Sequence, residues 1–151
     1  MAKPKLEVVL TAVNYEWTVE EAVRLGRYNH ANLNITSAHF SFSSNEQGLG
    51  KRQVEITLFR FGKWLSTEQA IAELDKLGYR PATARELLAL GAQHPNLQQT
   101  KDIVALGSIW TRPSDNRFVV YLWGPAGDRW ADLYLCEGDW FGGWWFAAVR
   151  K

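Results

Sequence analysis

Between Trp110 and Lys151 the chain carries six of its eight tryptophans, together with Phe118, Tyr121, Tyr134, Phe141 and Phe146. Within that stretch, Trp130-Ala131-Asp132-Leu133-Tyr134-Leu135-Cys136-Glu137-Gly138 reads as a strand with two unlike sides. Ala131, Leu133 and Leu135 fall on one side, an aliphatic face fit for a core. Trp130, Asp132, Tyr134, Cys136 and Gly138 fall on the other. A face that must pack against a core selects one kind of residue. This mixture of large ring, acid, phenol, thiol and glycine suits contact with a ligand better than folding.

At 151 residues the chain fits one domain with a real core. A formal net charge of +1 and the absence of a long Lys/Arg run argue against a nucleic-acid binder held by bulk electrostatics. A single cysteine, Cys136, excludes an internal disulfide and a multi-cysteine zinc site. The first residues lack the apolar run of a signal peptide, and no segment approaches the ~20 apolar residues of a membrane span. The expectation is therefore no membrane insertion and, by default, a cytoplasmic protein.

Local signals order the rest. Leu6 to Val13 suits a strand. Thr18-Val19-Glu20-Glu21 is a capping box opening a short helix with Ala22, Val23 and Leu25 inward, ending near Gly26. Asn29 to Gly50 is a polar connection anchored by Ile35 and Phe40. Gln53 to Phe61 alternates as a strand, with Val54, Ile56 and Leu58 on one face. Ser66-Thr67-Glu68-Gln69 caps a second helix, with Ala70, Ile71, Leu74 and Leu77 inward and Gly78 as its stop. Thr83-Ala84-Arg85-Glu86 caps a third, with Leu87, Leu88 and Leu90 inward and Gly91 as terminator. Strands follow over Ile103–Trp110, Arg117–Trp123, Trp130–Glu137 and Trp144–Arg150. With no repeat and no linker, the reading is one α+β domain over residues 1–151, with 1–50 as an N-terminal extension.

That order resembles the C-type lectin-like fold, two short helices followed by a mostly antiparallel set of strands. Gly78-Tyr79-Arg80-Pro81-Ala82-Thr83-Ala84-Arg85-Glu86-Leu87 is similar to the helix-to-helix junction of its formylglycine-generating-enzyme branch, where a Gly-x-Arg-Leu-Pro-Thr-x-x-Glu-Trp word stands. Trp145-Phe146-Ala147-Ala148-Val149-Arg150-Lys151 is similar to that branch's closing Gly-Phe-Arg-x-x-Arg strand. The resemblance covers roughly residues 53 to 151. The C-terminal third further resembles the variable protein of a diversity-generating retroelement. There a reverse transcriptase rewrites the 3′ end of the gene, and the fold holds the altered side chains on a solvent-facing surface.

That resemblance implies a variable region over about 104–151. Ala105, Leu106, Gly107, Trp110, Val119, Leu122, Ala131, Leu133, Leu135, Trp140, Phe146, Val149 and Arg150 read as scaffold. Thr111, Arg112, Ser114, Asn116, Phe118, Trp123, Trp130, Asp132, Tyr134, Cys136, Gly138, Phe141, Gly143 and Trp145 read as the variable, ligand-contacting set. The chain departs from other branches of the fold. It lacks the Glu-Pro-Asn or Gln-Pro-Asp word by which sugar-binding lectins ligate calcium. It also lacks the paired cysteines of the formylglycine-generating enzymes.

Few residues invite chemistry. His30, His39 and His94 share no metal-ligand spacing and fit exposed or capping roles. Cys136 has no base near it except Glu137, on the opposite face, so an exposed and reactive surface thiol is expected rather than a nucleophile. Asp115, Asp128, Asp132, Glu137 and Asp139 offer oxygens to a hard cation such as calcium, without a loop motif to support it. Trp110, Trp140 and Trp144 read as core or rim, whereas Trp123, Trp130, Tyr134 and Phe141 read as exposed. Arg112 joins the contact set; Arg117 and Arg129 bond neighbouring loops. The expectation is a binding protein, not an enzyme, using no cofactor, no metal and no nucleic acid. Its ligand would be a macromolecule, a protein above all, met by rigid aromatics as in an antibody paratope. The alternatives are a formylglycine-generating-enzyme-like protein that has lost catalysis and a structural subunit of a constant oligomer.

Overall fold

In the computed structural model, which describes residues 3–41 and 46–151, β1 (Lys5–Asn14) leads into α1 (Val19–Gly26) and β2 (His30–Ala31). Then come β3 (Lys51–Arg60), β4 (Leu65–Ser66), α2 (Thr67–Lys76), β5 (Tyr79–Pro81), α3 (Ala84–Gln93) and α4 (Leu97–Thr100). β6 (Ile103–Thr111), β7 (Arg117–Trp123), β8 (Trp130–Leu135), β9 (Asp139–Trp140) and β10 (Trp145–Arg150) complete the chain. Among the described residues one large sheet runs β1-β3-β10-β6-β7-β8-β2, with β5 added against β10, and β4 pairs β9 apart from it. The α+β reading holds. No helix is long and apolar enough to cross a membrane, among the described residues.

Alternation along the strands gives the sheet two apolar faces. Val54, Ile56 and Leu58 of β3, Ile103 and Ala105 of β6, and Val120 and Leu122 of β7 pack with α1 and α3. Phe59, Val104, Val119, Phe146 and Ala148 point the other way and pack with α2, Trp140 and Trp144. A strand buried on both faces cannot show a clean polar side. That is why Thr57 and Phe59, on the face opposite Val54, Ile56 and Leu58, are each 2% exposed as well.

All three capping boxes form, each with the Ser or Thr hydroxyl on the third helical amide and the Glu or Gln side chain returning to the cap. Ile35 and Phe40 are buried anchors, as their isolation in a polar connection suggested. Residues 42–45 of that connection lie outside the described residues. Three helix details differ from expectation. Leu25 is 39% exposed and lines an apolar cavity of about 270 Å³ beside Trp17 and Ala89. Leu77 sits on the C-cap of α2 and turns outward. α3 runs past Gly91 to Gln93, because Gly91 serves close approach rather than termination: the Tyr28 ring and Leu122 fill the space a Cβ would need.

The N-terminal segment is not an appendage. β1 pairs with β3 along its whole length, from Lys5 opposite Arg60 to Asn14 opposite Lys51. Tyr15, just beyond, donates its hydroxyl to Glu86 Oε2 at 2.5 Å. Arg80 grips the same carboxylate with two hydrogen bonds of 2.9 and 2.8 Å, and the Thr83 amide donates to it at 2.8 Å. Burial alone would raise the Glu86 pKa; Arg80, Tyr15 and the Thr83 amide outweigh it and hold the carboxyl below its usual range. Arg85 and Thr83 bond Glu46 in the same way, tying the N-terminal third onto α3.

Candidate ligand-binding face

β7 and β8 pair in register, Tyr121 opposite Asp132, Trp123 opposite Trp130 and Val119 opposite Tyr134. Directly opposite residues share a face, so this register lines up rings from two strands. The ring contacts continue beyond them in both directions. His30 lies 4.3 Å from Trp130, Trp130 lies 5.6 Å from Trp123, and Trp123 lies 6.3 Å from Tyr121. Tyr121 meets Tyr134 at 5.5 Å and Trp144 at 5.4 Å. Trp144 meets Phe141 at 6.1 Å, and Phe141 meets Trp64 at 6.4 Å. The result is an unbroken track of rings from His30 to Trp64.

Its floor is rigid. Trp140 and Trp144 are buried and cross at 90° with centroids 4.8 Å apart. The Trp140 indole donates to Thr67 Oγ1 at 2.9 Å, and the Thr67 hydroxyl donates to the Cys136 carbonyl at 2.9 Å. The first residue of α2 thus clamps the end of β8 to β9. Above this floor the exposed rings are Trp64 (69%), Phe141 (44%) and Tyr134 (41%). Tyr121 is half-buried, and so are Trp123 and Trp130, which were expected among the exposed rings. Gly143, of the predicted contact set, lies under the Phe141 ring, and a Cβ there would meet that ring at 2.5 Å and displace it. Burial, then Asp132 and Asp102, pushes the Tyr121 phenol up to about 12, so it stays a neutral donor. Burial also raises the Asp102 carboxyl.

The predicted contact set divides among several places. Trp123, Trp130, Asp132, Tyr134 and Phe141 stand on or beside the track, with Asp132 accepting from Asn32 Nδ2 at 2.9 Å. Gly138 is an exposed turn at φ +93°. Thr111, Arg112, Ser114 and Asn116 are exposed at the β6–β7 hairpin tip, closed by Arg112 N–H to Asn116 C=O at 2.8 Å. Phe118 points to the opposite sheet face, 5.8 Å from Trp110, with Arg112 over both rings. Trp145 also packs on the α1/α3 side, under Lys101.

The expectations for Cys136 and Leu135 are corrected. Cys136 is 2% exposed and lies among Val119, Trp140 and Phe146, and burial pushes its thiol up to about 11. It is therefore an inert packing residue, not a reactive surface thiol. The cause is the α2–β9 clamp, which folds over that end of β8. Leu135, expected inward, is 38% exposed, and Leu133 is only half-buried, packing at the margin of the cluster formed with α1 and α3. The acidic residues do not converge: among the described residues no three His, Cys, Asp or Glu side chains are placed to hold a metal ion. Glu137 instead pairs Arg117 at 2.9 Å.

Trp110, Trp140 and Trp144 take the core and rim places expected of them, with His39 stacked on Trp110 at 3.8 Å. Trp64 was missed. It precedes the second capping box in a loop, and only the fold brings it to Phe141. An exposed tryptophan beside a turn, Gly62-Lys63, was the available signal. Comparison of the chain with protein-family models, with curated proteins and with solved structures finds no match to any of them.

Proposed function

We propose that this chain is a ligand-binding protein whose aromatic track, from Trp64 through Phe141, Tyr134, Tyr121 and Trp123 to Trp130, docks a macromolecular partner. The carrying observation is the continuity of that track together with the exposure of Trp64, Phe141 and Tyr134. Monomers rarely leave contiguous large rings in water without a use. Burying one such side chain gains roughly 1.5–3 kcal/mol, and Trp and Tyr dominate interface hot spots. The face is open rather than enclosed, which suits a protein surface better than a small molecule.

The same reading takes the chain as a C-type lectin-like variable protein of a diversity-generating retroelement. Its support is the element order and the arrangement of the exposed positions. α2 and α3 stand between β3 and the later strands, and β10 returns antiparallel to β3. Tyr134 and Phe141 project from backbone held by Ala131, Leu122 and Trp140, so their side chains can change without moving the scaffold. Cys136 leaves the contact set, and Trp64 joins it as a constant neighbour.

The test is capture of partners from source-cell extract by the wild-type chain and by a Trp64→Ser/Tyr134→Ser/Phe141→Ser variant, identified by mass spectrometry. The variant should keep its fold, because all three side chains are exposed, and should lose whatever the wild type retains. Equal capture by both would remove the track as the binding face.

A further inference from the structure

β1 is the edge of the large sheet, with no strand beyond it among the described residues. In an antiparallel strand each residue points its N–H and C=O to one side, alternating along the chain. The Tyr15 amide bonds the Gly50 carbonyl, continuing the β1–β3 register, so odd-numbered residues face β3. Even-numbered residues face outward. Two of these are already occupied. Gln93 takes both the N–H and the C=O of Ala12, and His94 Nε2 lies 3.0 Å from the Leu10 carbonyl. Leu6 and Val8, and the Leu10 amide, have no such cover among the described residues. The side chains of the same residues, Leu6 (58%), Val8 (53%) and Leu10 (57%), form an exposed apolar row. Natural edges are usually blunted by charge, proline or a covering element. Here Gln93 and His94 blunt one end and Pro4 and Lys5 the other, leaving the middle open.

We infer that β1 pairs antiparallel with β1 of a second copy of this chain, on a two-fold axis through Val8. In that register Val8 faces Val8 of the partner subunit, and Leu6 faces the partner subunit's Leu10. The apolar row therefore meets itself. The Val8 groups bond reciprocally, the Leu6 amide bonds the second lone pair of the partner's Leu10 carbonyl, and the Leu10 amide bonds the partner's Leu6 carbonyl. The ladder then ends where Ala12 meets the partner's Pro4. Pro4 has no N–H to give, and Ala12 has no free group to receive it. Shifting the axis to Glu7 would set two carboxylates directly opposite each other, which is unfavourable. Ala12 as axis would require the groups that Gln93 holds.

The aromatic track lies at the far end of the sheet from β1. A two-fold axis perpendicular to the joined sheet turns both tracks to the same side, so the dimer is bivalent. Dimerisation does not depend on the track binding anything.

The experiment is sedimentation velocity over a dilution series of the full chain, with Val8→Lys beside it. The wild type should show twice the 17.2 kDa chain mass at high concentration and approach one chain mass on dilution. Val8→Lys should remain at one chain mass with an unchanged circular-dichroism spectrum, since residue 8 is exposed. A wild type that stays monomeric at every concentration, or a Val8→Lys variant that still dimerises, would overturn the inference. Should Val8→Lys not fold, Val8→Cys decides. Its residue 8 meets itself on the axis, so mild oxidation should give a disulfide-linked pair, whereas Ala12→Cys should not. Linkage through residue 12 and none through residue 8 would refute the register and the inference with it.

Discussion

Thr67→Val tests the clamp beneath the aromatic track. Valine matches threonine in shape but has no hydroxyl. In the folded chain the Thr67 hydroxyl accepts from the Trp140 indole and donates to the Cys136 carbonyl, each at 2.9 Å. Thr67 is 1% exposed and Trp140 2%, so water cannot replace either bond without opening the site. Each buried group left unpaired costs about 1–3 kcal/mol, which puts the double loss at roughly 2–6 kcal/mol. For a chain of this length each kcal/mol lowers Tm by roughly 2–4 °C, so the melting temperature should fall by roughly 4–24 °C. Thermal denaturation followed by far-UV circular dichroism reads this directly. Near-UV circular dichroism reads the packing of Trp140, Trp144 and Tyr134. Thr67→Ser keeps the hydroxyl and loses one methyl, about 1 kcal/mol. If Thr67→Val melts with the wild type, or Thr67→Ser falls as far as Thr67→Val, the hydrogen-bonded clamp is not what holds β8 to α2.

The remaining predictions concern charge and reactivity. The Glu86 carboxyl is held below its unfolded value of about 4.3 by Arg80, Tyr15 and the Thr83 amide against the opposing effect of burial. Its contribution is therefore complete above that unfolded value and is lost as pH falls through the lower folded one. Glu86→Gln should cost about 3–5 kcal/mol at neutral pH by leaving Arg80 unpaired, with the difference from wild type shrinking in acid; a difference that is constant with pH would refute the pairing. Cys136, buried with its thiol pushed up to about 11, should resist iodoacetamide at neutral pH in the folded chain and react once the chain is unfolded. Rapid alkylation of the native protein would contradict its placement.

What was legible in the sequence was local. The capping boxes at Thr18, Ser66 and Thr83 need only four consecutive residues, and all three form. Strand existence followed from alternation, and β7 has the expected bounds, Arg117–Trp123. The phase of β8 was half legible. Ala131 is buried and Tyr134 exposed as alternation requires, but Leu135 and Cys136 exchange the expected roles. Their exposure depends on what lies over the strand end: α2 and β9 cover Cys136, while Leu135 stays 38% exposed. Those neighbours come from distant parts of the chain, and periodicity carries no information about them. Trp64 escaped for the same reason. The pairing of β1 with β3, and hence the place of Lys5–Asn14 in the sheet, is likewise a long-range fact. The buried Arg80–Glu86 pair lay inside a word that resemblance had singled out, but its third partner, Tyr15, did not.

The central claim is that the exposed side chains of the C-terminal third are a varied contact surface on a constant scaffold. Sequencing the 3′ end of this gene, with its flanks, across the source population tests it most directly. The account predicts substitutions concentrated at codons for Tyr134, Phe141, Trp123, Trp130, Asp132 and the hairpin tip from Thr111 to Asn116. Leu122, Ala131, Cys136, Trp140 and Trp144 should be constant, with a near-identical template repeat and a reverse transcriptase gene close by. An invariant 3′ end without a repeat, or substitutions falling equally on the buried residues, would contradict it.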